Sequence, residues 1–233
     1  MFSVFVACDP VEEDLLIAQA WEAGTTGIVE EPGGFRAFFE DGSSVPLNGE
    51  IREEPETDWA QATRDSFPPL LIGERFYLVP PWDQSEVTGR IRLVINPGMS
   101  CGTGWHPCTQ LCLEALEKCV QPGDRVVDIG SGSGILSAAA RLLGAGSVIG
   151  CDTDPEVSPQ FIGSADAVKT GSADILVANI SAAAAAELAQ DFKRIAKLLI
   201  LSGFTESEIP EGFRIQERLQ KGDWVCLIAT TGE

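Results

Sequence analysis

The sequence is poor in basic residues and contains a single histidine. Against 35 Asp and Glu it carries 16 Lys and Arg, which leaves a formal net charge of −19. Binding to nucleic-acid phosphates needs clustered Lys and Arg, so we expect no direct nucleic-acid partner. The lone His106 excludes the zinc patterns that require two histidines, and we expect no metal site.

Long apolar runs are also missing, and no segment approaches the roughly 18 consecutive apolar residues that a membrane span needs. No basic residue precedes Arg36, so the charged start of a secretory signal is absent. The seven cysteines include no Cys-x-x-Cys pair. Cys108 and Cys112 have a spacing that metal ligands also use, but the leucines around them favour ordinary helix packing. We therefore expect reduced thiols, no membrane association and a cytoplasmic protein.

The first fifty residues have the pattern of a small α+β domain. Alternation predicts a strand over 2–7, and helical spacing predicts a helix over 12–23 that ends before Gly24. Two further strands, 27–30 and 35–39, flank Pro-Gly-Gly, which is typical of a hairpin turn. Strand, helix and hairpin of this length predict a small antiparallel sheet that one helix covers.

The next part of the chain is acidic and rich in turn residues. Residues 41–58 predict a linker by composition, and a short helix is expected to begin at Asp58 and Trp59. A strand pair is predicted over 75–79 and 90–95. We assign residues 1–50 to the small domain, 51–95 to a linker and inter-domain segment, and 96–233 to a larger domain.

The larger domain alternates apolar strands with helices. Helices are predicted over 109–120, over 134–143 and in the alanine-rich stretch that follows residue 181. Strands are predicted over five segments: 125–129, 147–152, 174–179, 197–202 and 224–229. This alternation predicts an α/β fold, Rossmann-like and doubly wound, with a mostly parallel sheet and helices on both faces.

A glycine-rich loop between a strand and a helix carries the strongest local signal. It runs Asp128-Ile-Gly130-Ser-Gly132-Ser-Gly134. Glycines let a ligand approach backbone N–H groups at a helix start. The nicotinamide fingerprint does not fit, because its third glycine would fall at Ile135. The pattern resembles the loop of class I S-adenosylmethionine-dependent methyltransferases, in which Asp128, Gly130 and Gly132 would face the cofactor.

A second acidic residue ends the next predicted strand. Asp152 follows Asp128 by 24 residues. A carboxylate at this position can accept hydrogen bonds from two adjacent ribose hydroxyls. A tight structural turn is the alternative for the glycines alone, and the order of Asp128, three glycines and Asp152 favours the cofactor interpretation.

Residues 96–109 indicate a particular family among these methyltransferases. They read Asn-Pro-Gly-Met-Ser-Cys-Gly-Thr-Gly-Trp-His-Pro-Cys-Thr. This segment is similar to the Pro-Gly-x-x-Phe-Gly-Thr-Gly-x-His-x-Thr-Thr signature of the methyltransferases that modify large-subunit ribosomal protein eleven. Further similar segments follow in order: Asp58-Trp59, Pro80-x-Trp82, Gly150-x-Asp152, Asn179-Ile180-x-Ala182 and Asp223-Trp224-Val225.

The resemblance implies the cofactor S-adenosylmethionine and a ferredoxin-like N-terminal domain that recognises the substrate. Carried over by position, it implies that Thr109, Gly130, Asp152 and Asn179 meet the cofactor. Thr109 has a second interpretation as a simple helix N-cap, and Asn179 has one as a turn-stabilising residue at a strand end. His106 is more consistent with a structural role, since methyl transfer to a neutral amine needs alignment more than a base. We assign no catalytic residue.

This sequence departs from the family pattern at Cys101, Cys108 and Thr63, where the family has Phe, Thr and Trp. The larger departure is the connection after Asp152, where only Thr153 to Gln160 precede the next motif at Phe161. A helical crossover takes about a dozen residues, so we expect no proper helix here and thin cover on the adenine side of the pocket.

The function we predict is protein N-methylation of lysine or N-terminal amines on large-subunit ribosomal protein eleven. A strongly acidic enzyme suits a basic ribosomal protein as its substrate. Two alternatives stay open: a methyltransferase for another protein or a small molecule, and a non-catalytic cofactor-binding module with a degraded pocket. Sequence alone leaves the oligomeric state open.

Overall fold

The structure, a computed structural model, describes residues 2–40, 48–53, 64–97, 102–157 and 159–231. The chain separates into two compact units, Met1–Ser66 and Phe67–Glu233. Most of the predicted linker, the start of the helix expected at Asp58, and the departures at Thr63 and Cys101 lie outside the described residues. The boundaries that we assigned to the domains stay a prediction.

The smaller unit is a four-stranded antiparallel sheet with one long helix. Its elements are β1 (Phe2–Ala7), α1 (Pro10–Glu22), β2 (Gly27–Glu31), β3 (Gly34–Phe39) and β4 (Glu50–Glu53). The strand order is β2-β3-β1-β4, and β1 pairs antiparallel with both of its neighbours. Its core is Val4, Val6, Ala20, Phe35, Ala37 and Phe39. This order is that of a ferredoxin-like sheet, as predicted.

Part of the predicted linker is a strand. Residues Glu50–Glu53 form β4 and pair with β1, with Ile51 opposite Val4. All four residues of β4 are exposed, so the strand carries no apolar alternation that composition could reveal. The linker interpretation is therefore wrong for these four residues.

The larger unit contains four α-helices and ten strands among its described residues. The strands are β5 (Leu70–Ile72), β6 (Phe76–Val79), β7 (Ile91–Val94), β8 (Arg125–Ile129), β9 (Ser147–Asp152), β10 (Phe161–Ile162), β11 (Ile175–Asn179), β12 (Leu198–Thr205), β13 (Arg214–Lys221) and β14 (Trp224–Thr230). The helices are α2 (Pro107–Cys119), α3 (Ile135–Leu142), α4 (Ala182–Glu187) and α5 (Ala189–Ile195). The alanine-rich helix is thus divided at Leu188 into two short helices, α4 and α5.

Seven strands form the main sheet in the order β10-β9-β8-β11-β12-β14-β13. The five strands from β10 to β12 are parallel, and β14 runs antiparallel to both β12 and β13. The chain leaves β8 toward β9 and β10 on one side, then returns to β11 and β12 on the other. The strand order therefore reverses at β8, and ligands of doubly wound folds bind at such a switch point.

The main sheet has a hydrophobic core on each face. One core packs α2 and α3 against the sheet and includes Leu111, Leu116 and Ile135. The other includes Phe192 and Ile195 of α5. Cys112 is fully buried in the first core, which agrees with its interpretation as a packing residue. The predicted doubly wound α/β class is confirmed. Within the described ranges, no helix is long and apolar enough to cross a bilayer.

A small sheet of β5, β6 and β7 is fastened to helix α2 by one carboxylate. Glu117 of α2 accepts hydrogen bonds from the backbone N–H groups of Glu74, Arg75 and Phe76, at 2.9, 2.9 and 3.1 Å. Three backbone donors on one carboxylate satisfy the turn between β5 and β6 and fix it to the helix. The predicted pairing of the two segments around 76–79 and 91–94 is confirmed, and it is parallel.

The described residues of the connection between β9 and β10 contain no α-helix, as the length of the connection predicted. Pro155–Val157 form a single 3-10 turn, and β10 is two residues long. Gln160 makes the hydrogen bonds to β9 that a longer β10 would make. Its backbone N–H donates to Gly150 O at 3.1 Å, and its Oε1 accepts from Gly150 N at 2.7 Å. One glutamine thus extends the pairing along β9.

We expect Gln160→Met to lower the free energy of unfolding by about 1–3 kcal/mol, because the buried amide of Gly150 loses its acceptor while the side-chain volume is kept. Urea denaturation measures the loss, and hydrogen exchange should show faster exchange at Gly150. Gln216→Met on the exposed strand β13 is the matched control. Equal stability of the two variants would show that water replaces the Gln160 acceptor at no cost.

Candidate functional site

A cavity of about 690 Å³ opens at the carboxyl ends of β8, β9 and β11. These three strands are neighbours in the sheet, and the chain reverses its direction of winding there. The cavity is lined by residues of the glycine loop, of the strand ends and of the segment before α2, together with Trp224. Its volume is within the usual range for small-molecule sites.

The glycine loop is held against β9 by backbone hydrogen bonds. The N–H groups of Gly130 and Ser131 both donate to Cys151 O, at 2.9 and 3.0 Å. Gly130 has φ +70°, and a Cβ there would lie 2.7 Å from Ile180 Cγ2. Glycine is therefore required at 130 both by the backbone conformation and by the space next to the loop.

Asp128 lies beneath the glycine loop and does not line the cavity. It is fully buried, and its Oδ2 accepts from Ser137 N at 3.0 Å and from Ser137 Oγ at 2.7 Å. Its Oδ1 is buried and has no hydrogen-bond partner among the described residues. Burial raises the pKa of Asp128 to about 6, against the lowering effect of the Ser137 bonds and with a further increase from the charge of Asp152.

Asp152 lies at the rim of the cavity, at the end of β9. Its Oδ2 accepts from Gly132 N at 2.9 Å, and its Oδ1 accepts from Asp154 N at 3.1 Å. The two bonds hold the carboxylate at the cavity edge and join it to the glycine loop. Thr153, the next residue, also lines the cavity.

Thr109 and Asn179 meet on another wall of the cavity. Asn179 Nδ2 donates to Thr109 Oγ1 at 3.2 Å, although the two residues are 70 positions apart in sequence. The N-cap interpretation of Thr109 is wrong, because α2 begins at Pro107 and its cap is His106, whose Nδ1 accepts from Cys108 N. A cap must precede the first helical residue, and Thr109 is the third.

His106 and Trp224 form an aromatic pair at the cavity. Their ring centroids are 4.7 Å apart with an interplanar angle of 74°, and both rings line the cavity. His106 therefore caps α2 and contributes to the wall at the same time. Trp224, Ile180 and Gly203 also line the cavity and are not among the predicted site residues, although Trp224 and Ile180 lie in segments that resemble the family.

Cys108, one of the departures from the family pattern, also lines the cavity. Its side chain is buried, and burial raises the pKa of the thiol. A protonated thiol is a poor nucleophile and a poor metal ligand. In the described part of the chain, no three His, Cys, Asp or Glu side chains gather closely enough to hold a metal ion.

These groups fit an S-adenosylmethionine molecule. The fixed carboxylate of Asp152 is an acceptor suited to neighbouring hydroxyls, and the Thr109–Asn179 pair offers both donors and acceptors. Gly130 and Gly132 bring backbone to the cavity without side chains of their own. Five of the six predicted cofactor residues line one cavity: Thr109, Gly130, Gly132, Asp152 and Asn179.

Comparisons with known proteins agree on one family. A family profile described as ribosomal protein L11 methyltransferase matches residues 38–232. Proteins named ribosomal protein L11 methyltransferase from Bacillus cytotoxicus and Bacillus cereus are each 38% identical over 208 residues, covering 77% of this chain and 67% of each relative. The crystal structure of a ribosomal protein L11 methylase from Lactobacillus delbrueckii subsp. bulgaricus has a TM-score of 0.61 at 26% identity, covering 70% of this chain and 97% of that one.

Asp128 should make the protein less stable as pH rises from about 4 to about 6. The folded state keeps the proton up to about pH 6, while the unfolded chain releases it near 3.8, so the folded state binds more protons in this window. Because one pKa unit corresponds to about 1.4 kcal/mol, the loss should approach 3 kcal/mol. Urea denaturation of the wild type and of Asp128→Asn between pH 4 and 7 should show it as a divergence between the two profiles.

Asp174→Asn is the matched control, because its titration has the opposite sign. Hydrogen bonds from Arg125 lower the pKa of Asp174 to about 2, so its contribution is present above the unfolded pKa and is lost as pH falls. The Asp174→Asn profile should therefore run parallel to that of the wild type above about pH 4, at lower stability, and approach it only below that pH. Parallel profiles for Asp128→Asn and the wild type would mean that Asp128 is ionised in the folded protein throughout.

Proposed function

We propose that this chain, which belongs to the ribosomal protein L11 methyltransferase family, transfers methyl groups from S-adenosylmethionine to amino groups of ribosomal protein L11. The family resemblance that the motifs indicated is confirmed, and S-adenosylmethionine is the cofactor of the family. Lysine side chains and the N-terminal amine are the acceptors that we propose, since both present a nitrogen lone pair when neutral.

The cavity at the ends of β8, β9 and β11 is the observation that supports this proposal most strongly. Segments far apart in sequence bring Thr109, Gly130, Asp152 and Asn179 to one space of about 690 Å³. We propose these residues, with Gly132, as the cofactor site and Asp128 as the group that supports the loop beneath it.

When bound, S-adenosylmethionine supplies an electrophilic methyl group on a sulfonium centre. In our proposal Asp152 accepts hydrogen bonds from the ribose hydroxyls, and Thr109 and Asn179 hold the amino-acid end or the incoming amine. His106 and Trp224 form one wall of the cavity. The attack by a neutral amine depends chiefly on alignment, which fixed side chains at the cavity provide.

We propose that the smaller unit and the negative charge of the chain both contribute to binding of the protein substrate. A net charge of −19 favours encounter with a basic protein, because complementary charge raises association rates. We propose that the ferredoxin-like unit recognises the protein substrate, and that the larger unit binds the cofactor.

The direct test incubates the full chain with methyl-labelled S-adenosylmethionine and purified ribosomal proteins, and locates the label by mass spectrometry. Label on amino groups of L11 supports the proposal. Label on a different protein would identify another methyltransferase activity, and cofactor binding without any label would indicate a non-catalytic binding module. Calorimetry with S-adenosylhomocysteine separates these last two outcomes from a chain that binds no cofactor.

We expect Asp152→Ala to weaken S-adenosylhomocysteine binding by roughly 1.5–3 kcal/mol, the range for hydrogen bonds to a charged group. Calorimetry on the folded variant measures the change. Asp154→Ala is the matched control: its carboxylate accepts from Glu156 N in the 3-10 turn, outside the residues that line the cavity. Equal affinities of Asp152→Ala and the wild type would remove Asp152 from the cofactor site.

A fragment that begins at residue 67 should bind S-adenosylhomocysteine nearly as well as the full chain, because all lining residues of the cavity lie in the larger unit. We expect its methylation of L11 to fall at least about tenfold through loss of substrate binding energy. Steady-state kinetics with L11 and calorimetry with the cofactor product measure the two effects. A fragment as fast as the full chain would show that the smaller unit does not recognise L11.

A further inference from the structure

One wall of the cavity consists of two segments that are far apart in sequence. The first is the loop 102–106, which ends in His106. The second is the hairpin of β13 and β14, and Trp224 is the first residue of β14. The contact of the His106 and Trp224 rings joins them at the cavity surface. The side chain of Gln110 connects the same two segments through hydrogen bonds.

Gln110 is a buried polar residue in the first turns of α2, with 5% of its surface exposed. Its Nε2 donates to the carbonyl oxygen of Trp105 at 2.7 Å, and its Oε1 accepts from Nζ of Lys221. The orientation of the amide is fixed, because a carbonyl only accepts and an ammonium group only donates. Trp105 directly precedes His106, and Lys221 is the last residue of β13.

We propose that Gln110 is a positioning residue that holds the His106–Trp224 wall in place for the cofactor. The expected effect on cofactor binding rests on the proposed function, whereas the hydrogen bonds of Gln110 do not depend on it. Trp105 is also fixed from its other side, since its Nε1 donates to Pro68 O at 2.8 Å and its ring meets Phe67 edge-on at 5.1 Å. Trp105 of the loop is thus held by Pro68 through its indole N–H and by Gln110 through its carbonyl oxygen. Lys221 connects the hairpin to Gln110 of α2.

Gln110→Met keeps the side-chain volume and removes both hydrogen bonds. We expect it to weaken S-adenosylhomocysteine binding about tenfold, as the loss of one well-formed buried hydrogen bond would. Gln110→Glu keeps the acceptor for Lys221 but removes the donor to Trp105, so it should be impaired to a similar degree. Lys221→Met leaves the Trp105 contact and should be affected less.

The matched controls lie on neighbouring elements away from the cavity. Gln216→Met removes an exposed glutamine of β13. Lys118→Met removes an exposed ion pair between α2 and Glu217 of β13, which joins the same two elements but lies outside the residues that line the cavity. Both should bind within about twofold of the wild type, because neither side chain touches the wall. Urea denaturation of every variant separates loss of binding from loss of folding.

A spectroscopic measurement tests the wall without any ligand. In protein labelled with 5-fluorotryptophan, the Trp224 resonance is assigned from its disappearance in Trp224→Phe. We expect this resonance to shift and broaden in Gln110→Met and to stay unchanged in Gln216→Met. If the wild type binds no S-adenosylhomocysteine, the proposed function fails while the fluorine spectrum still decides the role of Gln110. An unchanged Trp224 resonance together with unchanged affinity in Gln110→Met would overturn the proposal.

Discussion

The burial of the Asp128 carboxylate constrains the whole ligand edge of the larger unit. A buried carboxylate is costly unless its oxygens are paired, and among the described residues the two donors of Ser137 satisfy only one oxygen of Asp128. Since Ser137 lies in the first turn of α3 and Asp128 near the end of β8, the bonds hold strand and helix close together. The chain between them must turn sharply, and Gly130, Gly132 and Gly134 all have positive φ. This turn determines where Gly130 and Gly132 line the cavity.

Other polar contacts at this edge also join segments that are distant in sequence. Ser133 Oγ donates to Gly102 O at 2.5 Å, which connects the glycine loop to the loop before α2. Gln110 connects that same loop to the hairpin of β13 and β14. The apolar cores on both faces of the sheet stabilise the fold, but they do not determine where loops lie relative to one another. Hydrogen bonds have that role here because they are directional.

Local patterns predicted the elements whose side chains meet a core, and they failed where the chain is exposed on both faces. The strands around Asp128 and Asn179 are apolar runs, which is why periodicity predicted the strands whose ends line the cavity. β13 was missed because its sequence Arg-Ile-Gln-Glu-Arg-Leu-Gln-Lys is polar on an exposed edge of the sheet. The Gln110 contacts were out of reach for another reason: 111 positions separate Gln110 from Lys221, and no local pattern encodes such a pairing.

Only the first residue of the short connection after β9 lines the cavity, and the rest of its described residues lie outside the cavity lining. Thr153 lines the cavity directly after Asp152, whereas the residues that replace a crossover helix begin at Pro155 and turn away in a 3-10 conformation. They leave a second space of about 160 Å³ against the glycine loop, and Ile162 of β10 is 65% exposed. The loss of cover therefore falls on the edge of the sheet beyond β9. The acceptors and aromatic rings of the cavity belong to β9, β11, β14 and α2 with its preceding loop. The short connection contributes the N–H of Asp154, which donates to Asp152 Oδ1.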